Sequence, residues 1–109
     1  MTELHSDLID RQCIAGYLRS LVGRFFKILP MCEDHSSTLD KYMNSLLREM
    51  LGCELLADSL RDDDRYVSLL SILRSLIAEH ENLDVVKTDV FHAINIITQL
   101  EQKYQGVTA

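Results

Sequence analysis

Apolar residues recur along this chain at alternating steps of three and four, the period of an amphipathic helix. In the first segment Ile14, Leu18, Leu21, Val22, Phe25 and Leu29 share one face. That spacing predicts a helix near 4–29, ended by Pro30, which disfavours helix at the residue before it. Leu39, Met43, Leu46, Met50, Cys53, Ala57 and Leu60 set a second helix near 38–60, with Ser37 as N-cap and Asp40 as its acidic capping partner. Gly52 falls inside that pattern at a cost of about 1 kcal/mol, and marks either a close helix contact or a kink. Tyr66, Leu70, Leu73, Ile77 and His80 form the stripe of a third helix near 63–81. Val86, Val90, Ala93, Ile97, Leu100 and Tyr104 form that of a fourth near 84–105, opening at Asn82 or Asp84 and stopped by Gly106. The valines and isoleucines of this last segment favour strand on propensity. Strict alternation is absent, however, and the helical spacing prevails. Four amphipathic helices joined by short loops predict an all-α chain, one domain over 1–109, folded as a compact bundle of about four antiparallel helices.

The apolar faces are wide. Leu47, Leu51 and Leu55 flank the second stripe, and Phe91, Ile94 and Ile96 flank the fourth. A wide stripe belongs either to a helix buried on several sides or to surface kept for a partner. In the first helix Gly16, Ser20 and Gly23 make a strip of small residues that lets another helix come close. That neighbour is either another helix of the same monomer or, by self-association, a second copy.

Composition narrows the function more than the fold. The chain has 109 residues, 47% of them hydrophobic, no Trp and only 6% aromatic, so its core is aliphatic. Met1 to Asp10 carries Glu3, Asp7 and Asp10, where a secretory signal needs a basic start and an apolar run. Nothing approaches the roughly 20 apolar residues of a membrane span. Cys13, Cys32 and Cys53 form no Cys-x-x-Cys pair, which fits free thiols in a reducing cytoplasm. Lys+Arg number 11 against 17 Asp+Glu, a net charge of −6. Residues 31–84 hold 12 acids and 5 bases, and the flanking helices are nearly neutral. Direct nucleic-acid binding, which needs clustered Lys and Arg, is disfavoured. A basic protein partner suits an acidic surface better, and Asp40, Glu49, Asp58, Asp62, Asp63 and Asp64 are its candidate contacts.

Candidate chemistry is sparse. Cys32-Glu33-Asp34-His35 carries a thiolate and an imidazole that could reach one zinc ion, but a structural site needs two more ligands, and Cys13, Cys53 or His92 would have to converge on it. A solvated acidic loop is the simpler reading. Asp89 and His92 sit on adjacent turns and make only half of a di-iron motif, so a hydrogen bond on the helix surface is expected there. No metal or cofactor is expected, and no phosphate loop or nucleophile elbow is present.

The segment Arg74-Ser-Leu-Ile-Ala-Glu-His80 resembles the arginine-to-histidine spacing of HEPN ribonucleases, small helical proteins in which Arg and His from two protomers build a metal-independent RNA cleavage site. That resemblance implies a ribonuclease or toxin component using Arg74 and His80. On a helix, six positions set the two side chains about 120° apart. The phrases Leu21-Val-Gly-Arg-Phe-Phe-Lys-Ile-Leu-Pro30, Ser45-Leu-Leu-Arg-Glu-Met-Leu-Gly-Cys53, Tyr66-Val-Ser-Leu-Leu-Ser-Ile-Leu73 and Val86-Lys-Thr-Asp-Val-Phe-His-Ala-Ile-Asn-Ile-Ile97 together resemble small helical proteins of Gram-positive phages and mobile elements. This likeness implies an effector that acts by binding a host or defence protein, and carries no catalytic assignment. The leading expectation is a non-enzymatic, acidic interaction protein. The HEPN-like nuclease is the alternative.

Overall fold

Long helices need an apolar face to bury, and the first one here has the longest. The structure, a computed structural model, describes the backbone of residues 2–56 and 58–105 and the side chains of 11–55 and 59–105. Five helices follow in order: α1 (Thr2–Glu33), α2 (Leu39–Leu56), α3 (Asp58–Arg61), α4 (Asp64–Ala78) and α5 (Leu83–Tyr104). No strand occurs among the described residues. At 1.5 Å per residue α1 is about 48 Å long, which accounts for the 51 Å long axis of the molecule.

Helix α1 packs most extensively on α5 and more lightly on α2, while α4 fills the other side against α5 and α2. Leu18, Leu21, Phe25 and Ile28 of α1 are fully buried, as are Met43 and Met50 of α2, Tyr66, Leu69, Leu73 and Leu76 of α4, and Val86, Val90, Ala93, Ile97 and Leu100 of α5. Most of these are positions that the helical period selects, but Ile28, Leu69 and Leu76 lie beside the expected stripes, and Leu29 and Ile77, on them, are only partly buried. The Tyr66 hydroxyl sits in the same core and donates to the Met50 carbonyl at 2.8 Å, which satisfies its one polar atom. Cross-links fix the directions. Arg11 reaches the Lys103 carbonyl at 3.0 Å and Phe26 meets Phe91, so α1 and α5 run oppositely. The Lys103 carbonyl belongs to the last turn of α5, where it has no partner within the helix.

Several boundaries depart from the sequence expectation. Helix α1 does not stop at Leu29 but runs through Pro30 to Glu33. Proline lacks only its own N–H, so the loss falls on the Phe26 carbonyl one turn back. The Pro30 carbonyl still accepts from Asp34 at 2.9 Å. The true stop is a C-terminal loop in which Ser36 N–H bonds to Met31 and His35 N–H to Cys32, with His35 at φ 52°. This is the pairing of a Schellman motif, with histidine where glycine is usual.

The expected helix over 38–60 is two helices, α2 and the single turn α3, with Ala57 between them outside the described residues. Its period nevertheless persists, because Leu60 is buried. Ser37 does not cap α2. Ser36 does the local tying, its hydroxyl accepting from Thr38 N–H at 3.3 Å, while Asp40 turns to His80 instead. A methyl group on Gly52 would meet nothing within 4 Å, so no close contact explains that glycine. Helix α4 ends at Ala78, and Glu79 is extended, which removes His80 from the helix on whose stripe it was placed. Asn82 caps α5 as expected, its side chain accepting from Asp84 and Val85 N–H. Gly106 lies outside the described residues.

The Asp62–Asp64 run suits either a helix start, where the macrodipole favours negative charge, or an acidic surface. Asp63 takes the first role and leaves the second, being 8% exposed. It caps α4 by accepting from Arg65 N–H at 2.8 Å, and its other oxygen takes the Lys103 ammonium at 2.5 Å. Burial works against its charge, but the Lys103 ammonium and the Arg65 amide outweigh it and hold the carboxyl below the usual aspartate range. Such a group stabilises the fold fully above its unfolded value, near pH 4. The contribution is lost as pH falls through the lower folded value.

Two expected outcomes follow from these ends. Asp63→Ala removes both a cap and a buried ion-pair partner and lowers stability by about 2 kcal/mol in urea denaturation. Asp63→Asn, which keeps the cap, loses roughly half as much and flattens the fall in stability below pH 4. His35→Gly removes the left-handed strain and raises stability by about 1 kcal/mol, whereas His35→Val lowers it.

Candidate functional site

The α1–α2 and α4–α5 connections meet at one end of the molecule, and between them lies an open cleft of about 420 Å³. Cys32 and Glu33 line it from the end of α1, His35 and Ser36 from the first connection, Leu39 from the start of α2, His80 and Glu81 from the second connection, and Leu83 from the start of α5. Two contacts hold the connections together. The Cys32 thiol donates to the His80 carbonyl at 3.3 Å, and His80 Nε2 lies 3.1 Å from the Asp40 carboxylate. The other ring nitrogen, Nδ1, is buried and has no hydrogen-bond partner.

Around this cleft the helix ends gather acidic side chains. Glu33 and Asp34 close α1, Asp40 opens α2, Glu79 closes α4, Glu81 lies in the loop and Asp84 opens α5; all six are exposed. Asp84 sits where a helix N-terminus favours negative charge. Glu33, Asp34 and Glu79 sit at helix C-termini, where the macrodipole favours Lys or Arg, yet neither α1 nor α4 has a basic residue in its last turn.

The acidic contacts read from the sequence do not form one surface. Asp40 belongs to this cleft end, whereas Asp62 and Asp64 stand exposed at the far end of α2, about 27 Å away along an 18-residue helix. Asp62 pairs with Arg61 at 3.4 Å. Asp63 is buried as described, and the side chain of Asp58 lies outside the described residues. Glu49 is committed to the α1–α2 contact. It takes the Arg24 guanidinium and, at 3.1 Å, the Tyr17 hydroxyl. The Arg24 contact holds its carboxyl below the ordinary range despite partial burial.

Other candidates are dispersed. Arg74 stands exposed on α4 and does not line the cleft, while His80 lies beyond the helix end in contact with Asp40. The two share no helix face. Asp89 and His92 make no hydrogen bond to each other. Cys32 is buried, and burial followed by the nearby Glu33 charge pushes its thiol pKa up, the reverse of what a nucleophile needs. Among the described residues no three His, Cys, Asp or Glu side chains converge to hold a metal ion, and no helix is long and apolar enough to cross a membrane. Gly16, Ser20 and Gly23 lie on the solvent side of α1, and a methyl group on either glycine would meet nothing within 4 Å. Close packing inside the monomer is therefore not their role.

Compared with protein-family models, curated proteins and solved structures, the chain matches none.

Sequence reasoning missed Glu33, Glu81 and Leu83 as a group because the cleft needs two connections to meet. Only the acids at helix C-termini carried a signal, since the macrodipole disfavours them. Cysteine access checks the arrangement: limited alkylation with iodoacetamide at pH 8 is expected to label exposed Cys13 first and Cys32 last, read by peptide mass.

Proposed function

We propose that this chain is a non-enzymatic interaction module that binds a basic segment of another protein at the acidic end cleft. In this reading its four long helices form an antiparallel bundle that brings the ends of α1, α2, α4 and α5 together. The observation that carries the proposal is the placing of Glu33, Asp34 and Glu79 against the helix dipoles around an open cleft. Each such carboxylate costs about 0.3–1 kcal/mol relative to a base at the same place, so stability alone would not select it. Leu39 and Leu83 supply apolar surface for the stem of a Lys or Arg, and Glu33 and Glu81 supply charge for its head.

A raised Cys32 thiol and the separation of Arg74 from the His80 environment favour binding over catalysis. Three free cysteines suit a reducing cytoplasm. The likeness to small helical proteins of Gram-positive phages and mobile elements supports the same reading, an effector that modulates a host or defence protein by occupying its basic surface.

A fluorescent nona-arginine peptide followed by anisotropy tests this. The double variant Glu79→Lys/Glu81→Lys is expected to bind at least about tenfold more weakly, from two reversed contacts of roughly 1 kcal/mol each. Urea denaturation of the same variant is expected to show stability unchanged or raised by about 0.5 kcal/mol, because Lys suits the α4 C-terminus. Asp62→Lys/Asp64→Lys, at the other end, leaves binding within about twofold. Loss of binding in this second variant alone would move the contact surface to the α3–α4 junction. Equal binding by all three proteins would end the proposal.

A further inference from the structure

The outer face of the α1–α5 pair carries an aromatic contact that stays open to solvent. Phe26 and Phe91 meet edge to face with centroids 5.8 Å apart, yet they are 43% and 49% exposed. Val22 and Leu29, one turn from Phe26 on α1, and Ile94, one turn from Phe91 on α5, are partly buried. A solvent-facing aromatic pair gains little from its own contact, whereas covering it would remove two large rings and their apolar border from water.

The charges along α1 indicate what covers it. Arg19 and Glu33 stand seven residues before and seven after Phe26, two turns in each direction, on the same side of the helix. Arg19 uses its Nε on Glu101 at 2.8 Å and remains two-thirds exposed, so its terminal amino groups can serve a second carboxylate. Gly23, with open space beyond it, lies between Arg19 and Phe26. A partner helix running the opposite way and centred on Phe26 would therefore bring a carboxylate to Arg19, a base to Glu33 and an apolar residue over Gly23. Helix α1 itself meets every one of these conditions.

We propose that the Phe26–Phe91 face binds a second copy of this chain about a two-fold axis crossing α1 at Phe26. Two antiparallel α1 helices then stack, Phe26 and Phe91 of both protomers form the centre, and Arg19 of each copy faces Glu33 of the other. The contact is isologous and closes at two protomers. It lies on the side of the molecule and shares Glu33 with the rim of the end cleft.

Sedimentation equilibrium and native mass spectrometry on the full chain test the proposal. The unmodified protein is expected to dimerise at micromolar concentration. Phe26→Glu and Phe91→Glu are each expected to be monomeric with unchanged helical circular dichroism. Arg19→Glu alone faces Glu33 across the axis, and Glu33→Arg alone faces Arg19, so each homodimer weakens by about tenfold. Mixed one to one, the two variants restore both pairs and form the heterodimer in preference to either homodimer. A monomeric unmodified chain, or a dimer indifferent to Phe26→Glu and Phe91→Glu, would overturn the face. A dimer that these changes abolish but whose charge variants show no heterodimer preference would overturn the antiparallel arrangement.

Discussion

Helices α1 and α5 are joined by contacts spanning most of the sequence, 92 residues between Arg11 and Lys103 and 82 between Arg19 and Glu101. Everything else in the molecule is arranged around that pairing. Helix α2 can fold back on α1, and α4 on α2, through short connections. Only the return of α5 onto α1 encloses Leu18, Leu21, Phe25 and Ile28 with Val90, Ala93 and Ile97. Closing so long a span costs chain entropy before any contact repays it. The polar ties at the Arg11 end, where Lys103 also meets Asp63, are then as important as the apolar seam. They fix α5 against α1 and α4 at once and set the register that brings Phe91 to Phe26.

The helical period of the sequence located the four long helices because burial enforces it. Leu39, Met43, Leu46, Met50 and Leu60 are all buried, although the chain breaks between α2 and α3. What the period could not reveal was where each helix stops. Pro30 looked like a terminator, but a proline in the last turn forfeits one hydrogen bond and need not end a helix that is packed on both sides. The stop instead required His35 in a left-handed conformation, and histidine gives no sign of that in sequence. In the same way His80 continued the stripe of α4 by spacing alone. The extended backbone at Glu79 turns it toward Asp40 on another helix.

The acidic excess was visible as a number and misleading as a surface. Asp62, Asp63 and Asp64 are neighbours in sequence, yet Asp63 points inward to Lys103 while Asp62 and Asp64 stay in solvent. Conversely, Glu33 and Glu81 are 48 residues apart and line the same cleft. Alternating helix directions explain both results. Residues that follow one another across a helix start separate into cap and surface, whereas residues at distant connections converge wherever helix ends coincide.

The two ends of the molecule also use negative charge differently, and the difference bears on function. At the α3–α4 junction an acid stabilises the fold: Asp63 caps α4, neutralises Lys103 and stays ionised despite burial. At the cleft end the necessary capping of α5 is done by Asn82, a neutral residue. Glu33, Asp34 and Glu79 have no corresponding structural task and stand where the helix dipoles oppose them. A surface that retains charge against its own electrostatics trades stability for something else. Complementary charge brought by a partner is the simplest compensation, because one incoming cation relieves both the crowding of carboxylates and the dipoles beneath them. The aromatic face on the side of α1 and α5 meets such a charge only at its Glu33 edge, and the proposed association there draws mainly on burial of its apolar centre. As proposed binding surfaces the two would differ in salt dependence as well as in position: high ionic strength would weaken the first and leave the apolar centre of the second largely intact.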